Sequence, residues 1–215
     1  MGFSRVPDRR IIVVKSCQKF KARQDACRAT WAGELSRHGI PVWFLEGGFP
    51  ETRLVDCWLL LNTGDDYDDN SFKVRSGLQF FLDVDPFDYV FVCDDNTFVH
   101  WRRWLDFKPQ APFIGMKTFR VPWVHGGGGW FMDRDATARY IAGIKRQCSW
   151  DDRLATEILE PQGVPFENCP GLFAQWDERI SADNELITCH NVSPEEMPIL
   201  FRDTYDLATL HNAVH

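Results

Sequence analysis

The sequence predicts a single α/β domain spanning residues 1–215, with a mostly parallel central sheet flanked by helices in a Rossmann-like plan. Three observations predict it. Ile11 to Val14, Val42 to Leu45 and Tyr89 to Val92 are apolar runs without polar alternation, as expected of strands covered on both faces. A helix-periodic stretch separates the first two, which is the order of a parallel βαβ unit. The third run stops abruptly at Asp94, Asp95 and Asn96, placing a polar cluster at a strand's carboxyl end, where open α/β sheets bind ligands.

Taken in order, a polar leader with Pro7, Arg9 and Arg10 precedes the first strand, which ends at Lys15 and Ser16. Phe20 to His38 is roughly helix-periodic, with Ala22, Ala26, Trp31 and Leu35 as its inward face, and Gly39 and Pro41 end it. Val42 to Leu45 is the second strand, and Gly47, Gly48 and Pro50 form its turn. Leu54 to Leu61, interrupted by Asp56, fits a strand better than a helix. The acidic run Asp65 to Asp69 leads into a helix over Ser71 to Leu82, where carboxylates favour the helix start. Pro86 breaks the chain before the central strand. A short helix at Trp101 to Leu105 and a strand at Phe113 to Gly115 follow. Helices are expected at Arg134 to Lys145 and Asp152 to Leu159, the latter stopped by Pro161 and Gly163, and a last strand at Leu186 to Cys189 ends in His190.

Composition narrows the function. With 24 basic against 31 acidic residues, the formal net charge of -7 argues against a nucleic-acid footprint and suits a site that recruits cations. The 7 cysteines are odd in number and lack CxxC spacing, so neither a zinc ribbon nor a complete disulfide framework is indicated. No apolar run reaches the length of a membrane span, and Ile11 to Val14 is too short for a signal peptide.

The candidate chemistry begins at Asp94 and Asp95. Adjacent carboxylates repel, so they need a solvated turn or a cation, and hard divalent ions prefer such oxygen ligands. The same Asp-Asp-Asn is also ordinary turn chemistry. The glycine run Gly126 to Gly129, between His125 and Trp130, lacks the Lys-Ser/Thr of a phosphate loop and the spacing of a dinucleotide fingerprint. It reads as a sharp turn or a close approach of backbone to ligand. For Trp123 and Trp130, core packing and sugar stacking are both open. Asp151 and Asp152 fit a helix cap as well as a catalytic role.

The order of these landmarks resembles the fringe-like and β1,3-galactosyltransferase group of inverting glycosyltransferases, family 31. Arg23 with Thr30 and Trp31, Asp65 with Tyr67 and Lys73, Asp94 to Val99, Gly126 to Trp130, Asp151 with Asp152, and His190 with Val192 and Met197 carry the resemblance. Their order, more than any one of them, is specific. It covers about Ile11 to Met197. Asn96 stands where the family has the Asp that binds metal directly, and Asp69 stands where the family has Asn.

The resemblance implies a GT-A fold, with a nucleotide-sugar half at about residues 1–100 and an acceptor half at about 101–215. It implies transfer of a sugar from a nucleotide sugar, UDP above others, to a glycan or other hydroxyl acceptor, with Mn²⁺ or Mg²⁺ as cofactor. Asn96, His190 and Asp95 would hold the metal. Asp94, Asp95, Lys73, Arg23, Ser16, Gly127 and Gly128 would bind the donor, with Lys15 a further candidate. Asp152 would be the base, with Asp151 as substitute. A catalytically retired nucleotide-sugar or glycan-binding module is the alternative, motivated by Asn96. A two-metal phosphohydrolase would need further ligands that the sequence lacks. No nucleic-acid partner and no transmembrane segment are expected. The compartment expected is the cytoplasm of a soluble microbial or viral enzyme, the alternative being a trimmed Golgi-lumen ectodomain.

Overall fold

In a computed structural model the chain is described over residues 9–118, 121–172, 180–181 and 185–212, with side chains through residue 204. The fold is built outward from β1 (Arg10–Lys15), which is buried along its whole length. It pairs in parallel with β2 (Val42–Glu46) on one side and β5 (Tyr89–Asp94) on the other. Side chains alternate across these strands. Ile12 and Val14 join Phe91 and Cys93 in one core layer, while Ile11 and Val13 join Val90 and Val92 in the other. Continuous apolar runs are therefore required, because both faces are covered.

The span Leu54 to Leu61 is a hairpin of β3 (Arg53–Val55) and β4 (Trp58–Leu60), which turns at Asp56 with φ 51°. Beyond β5 lie β8 (Trp130–Asp133), β7 (Phe113–Gly115) and β9 (Phe166–Asn168). The sheet order is β3-β4-β2-β1-β5-β8-β7-β9. Only β3 and β8 run against the others, so the sheet is mixed but mostly parallel. A two-stranded ribbon, β6 (Phe98–Val99) with β10 (Thr188–Cys189), stands apart.

The helix expected over Phe20 to His38 is two helices, α1 (Lys21–Ala29) and α2 (Trp31–Arg37). They break at Thr30, whose hydroxyl donates to the Ala26 carbonyl at 2.6 Å instead of leaving that carbonyl to the backbone ladder. Ala26, Trp31 and Leu35 face the core as expected, but Ala22 is exposed. With α4 (Trp101–Asp106), α1 and α2 supply one core layer; α3 (Asn70–Val84), α5 (Arg134–Gly143) and α6 (Asp151–Leu159) supply the other. Helix α7 (Glu196–Asn212) closes the described chain. All seven cysteines are free thiols. Among the described residues no helix is long and apolar enough to cross a membrane.

Candidate active site

The site lies where β1 and β5 end together. Their parallel register sets Lys15 beside Asp94. Both residues share the parity of Ile11, Val13, Val90 and Val92, so their side chains emerge on the α6 face. There the Lys15 ammonium lies 2.8 Å from Asp94 Oδ1 and 3.1 Å from Asp151, the first residue of α6. Burial opposes a charge on Lys15, but Asp151, Asp94 and Asp152 outweigh it and hold the lysine protonated. Burial also works to raise Asp94, yet Lys15 and then His190 keep it below the usual carboxylate value. Asp151, only 2% exposed, is pushed up to about 7 by burial against the pull of Lys15, with Asp152 and Asp94 adding to the rise.

Asp95 and Ser16 follow on the opposite parity and turn to the α1 face. The Ser16 hydroxyl donates to Asp95 at 2.7 Å and accepts from Gln24, while Arg23 contacts the other Asp95 oxygen at 3.3 Å. Burial pushes Asp95 up to about 6 despite Ser16 and Arg23. Both its oxygens thus have protein partners. Asp95 nevertheless borders the same cavity as Asp94, Asn96 and His190.

Asp94 turns toward His190. Its Oδ2 is 3.6 Å from His190 Nε2, and Asn96 is held close by through its amide, which donates to Asn191 Oδ1 at 3.1 Å. Among the described residues no three His, Cys, Asp or Glu side chains form a metal cage. The Asp94 and His190 pair with Asn96 nevertheless fits Mn²⁺, which accepts imidazole as well as oxygen. A shell with few protein ligands suits an ion completed by substrate phosphates and water.

The glycine run explains itself through its neighbours. A Cβ on Gly126 would come 2.8 Å from Asp152 Oδ2, and one on Gly127 would come 2.2 Å from the His190 ring. Gly126 to Gly128 form a 3-10 turn whose carbonyls are held by Thr97 and Thr188 hydroxyls at 2.9 and 2.7 Å. Gly126 and Gly127 therefore admit the Asp152 and His190 side chains, and the Gly127 and Gly128 carbonyls anchor the turn. Asp152, half-buried, accepts the Gly126 N–H at 2.8 Å through Oδ2 and the Arg153 N–H at 2.7 Å through Oδ1.

Two cavities meet here. One, of about 290 Å³, is lined by Ser16, Phe20, Arg23, Asp95 and Asn96; the other, of about 300 Å³, by Trp123, His125, Gly126, Trp150 and Asp152. Lys15, Tyr67, Asn70, Asp94 and His190 border both. Lys73 also borders the first, but its ammonium is spent on the Ser16 carbonyl and Asp65 at 2.7 and 2.8 Å. It clamps the β1 end. Trp130 is core, fully buried beneath Lys15, whereas Trp123 lines the second cavity. Trp150 was not singled out by its sequence, although a Trp directly before two acids was a usable signal.

No protein-family model matches the chain, and no curated protein matches it in sequence. Solved structures do match in fold. One is a glycosyltransferase involved in the glycosylation of the major capsid of PBCV-1, at TM-score 0.55 and 9% identity over 93% of this chain and 98% of that one. Another is the apo-form glycosyltransferase GlyE of Streptococcus pneumoniae TIGR4, at TM-score 0.50 and 10% identity, covering 95% of this chain and 62% of that one. The architecture is the α/β GT-A fold of glycosyltransferases.

Proposed function

We propose that the protein is an inverting, metal-dependent hexosyltransferase that moves a sugar from a nucleotide sugar, UDP above others, to a glycan or other hydroxyl acceptor. The observation that carries this reading is the pair of cavities joined at Asp94, Lys15 and His190, with Asp152 presented on the far side of the join. The order of motifs described above supports a fringe-like relationship.

In this reading the diphosphate occupies the Arg23 cavity. Arg23, part exposed, meets phosphate charge, while Asp94, His190 and Asn96 would hold the divalent ion. Once bound, that ion supplies positive charge to the departing diphosphate. Lys15 keeps Asp94 ionised and adds a fixed charge at the join. Asp152 takes the proton of the acceptor hydroxyl as its oxygen bonds to the anomeric carbon, and the bond to the diphosphate oxygen breaks, the electron pair leaving with the diphosphate. Asp151 is paired with Lys15 and nearly sealed, so it positions and Asp152 reacts.

A binding module that has lost turnover is the second reading, favoured by the neutral Asn96. A panel of UDP, GDP and dTDP sugars, with and without Mn²⁺, separates the possibilities through thermal stabilisation, since a ligand selective for the native state raises the melting temperature. UDP with Mn²⁺ is expected to stabilise most. Binding without transfer or hydrolysis would favour the module, and no nucleotide effect would sink the transferase and leave only a glycan-binding module.

A further inference from the structure

Trp150 is 49% exposed although it sits at the mouth of a cleft that could have buried it. Its ring is nonetheless fixed. It stacks on Trp123 with centroids 6.4 Å apart and planes 19° apart, and the Arg153 guanidinium lies within 5.1 and 5.6 Å of the two rings. Trp150 is also the N-cap residue of α6, immediately before Asp151 and Asp152, so the ring plane and the carboxylates share one rigid frame. A flat apolar surface ordered in advance loses little entropy when a ligand covers it.

The cavity does not end at this ring. Past Trp150 and Ser149, which belong to both, it continues into an open trough of about 550 Å³ bordered by Asp68, Arg146, Gln147 and Arg153. An aromatic plane followed by planar amide and guanidinium groups matches a chain of sugars. Each ring has an apolar C–H face and a rim of hydroxyls.

We infer that the Trp150–Trp123 pair is a carbohydrate-binding platform, and that the acceptor is an oligosaccharide. Its reacting sugar lies in the cavity beside Asp152, and its next sugar crosses Trp150 into the Arg146 trough. Which hydroxyl reacts rests on the glycosyltransferase reading; the platform itself does not. It makes the acceptor longer than one ring and excludes a lone hydroxyl on a peptide as the preferred substrate.

The test titrates wild type, Trp150→Phe and Trp150→Ala with lactose, cellobiose, diacetylchitobiose and the matching monosaccharides, reading saturation-transfer NMR. UDP affinity is measured in parallel. At least one disaccharide is expected to bind roughly ten-fold tighter than its monosaccharide, Trp150→Ala to lose about ten-fold, and Trp150→Phe to retain part, with UDP affinity unmoved. In a transfer assay the Ala variant is expected to raise acceptor KM far more than it lowers kcat. Disaccharide binding that Trp150→Ala retains, equal binding of mono- and disaccharide, or no saturable binding of any sugar overturns the proposal. Failure of wild type to bind any sugar nucleotide removes the transferase reading instead, while the platform stands or falls on its own titration.

Discussion

Lys15 Nζ stands 3.1 Å from Asp151 across the join of two elements far apart in sequence, the end of β1 and the start of α6. One buried ammonium thereby ties the two acidic pairs of the site together. Lys15→Met would leave Asp151 and Asp94 without their cation and is expected to cost about 3–5 kcal/mol of stability. Chemical denaturation of wild type and variant measures it. A loss well under 1 kcal/mol would show that the pairing is incidental.

Gly127 has a different role, since only the absence of a side chain lets the His190 ring close on it. Gly127→Ala should displace His190 from Asp94 and weaken Mn²⁺ by roughly ten- to hundred-fold, as when the support of a ligand is lost. Isothermal titration with Mn²⁺ and UDP reads the change. Unaltered metal affinity would remove His190 from the proposed shell.

The buried Asp95 sets a pH signature. Its folded value of about 6 lies above the ordinary 3.8, so between those limits the folded chain keeps a proton that the unfolded chain has released. Stability from this group therefore falls as pH rises through the window and levels off above it. Asp95→Asn keeps the side chain's size and has no such term. The variant should gain on wild type from pH about 4 to about 6 in denaturation midpoints, and parallel pH profiles would contradict the assignment.

Much of this was legible in the sequence because long buried strands declare themselves. β1, β2 and β5 have continuous apolar centres, and the parallel pairing of β1 and β2 follows from the helix-periodic connection between them. The acidic pairs Asp94–Asp95 and Asp151–Asp152 were visible as motifs, but which partners each carboxylate holds was not. That choice depends on strand parity at Asp94 and on the Gly126 contact at Asp152. β10 falls within the strand expected at Leu186 to Cys189, whereas β6 has two residues, too few for any period to show. β8 runs antiparallel to β5 and β7, and direction leaves no trace in an apolar run. The break at Thr30 hides in an otherwise helical pattern, for one hydroxyl causes it.

If Asp152 receives the acceptor proton, Asp152→Asn removes the base and little else. The amide keeps the carboxylate's size and one oxygen to accept the Gly126 N–H, so the fold and UDP affinity should persist. Transfer measured with saturating UDP-sugar should fall by roughly a hundred- to ten-thousand-fold, the usual cost of losing a general base. Asp151→Asn should cost less. Near-full transfer by Asp152→Asn, with its loss in Asp151→Asn, would rule Asp152 out and assign the proton to the carboxylate that Lys15 holds.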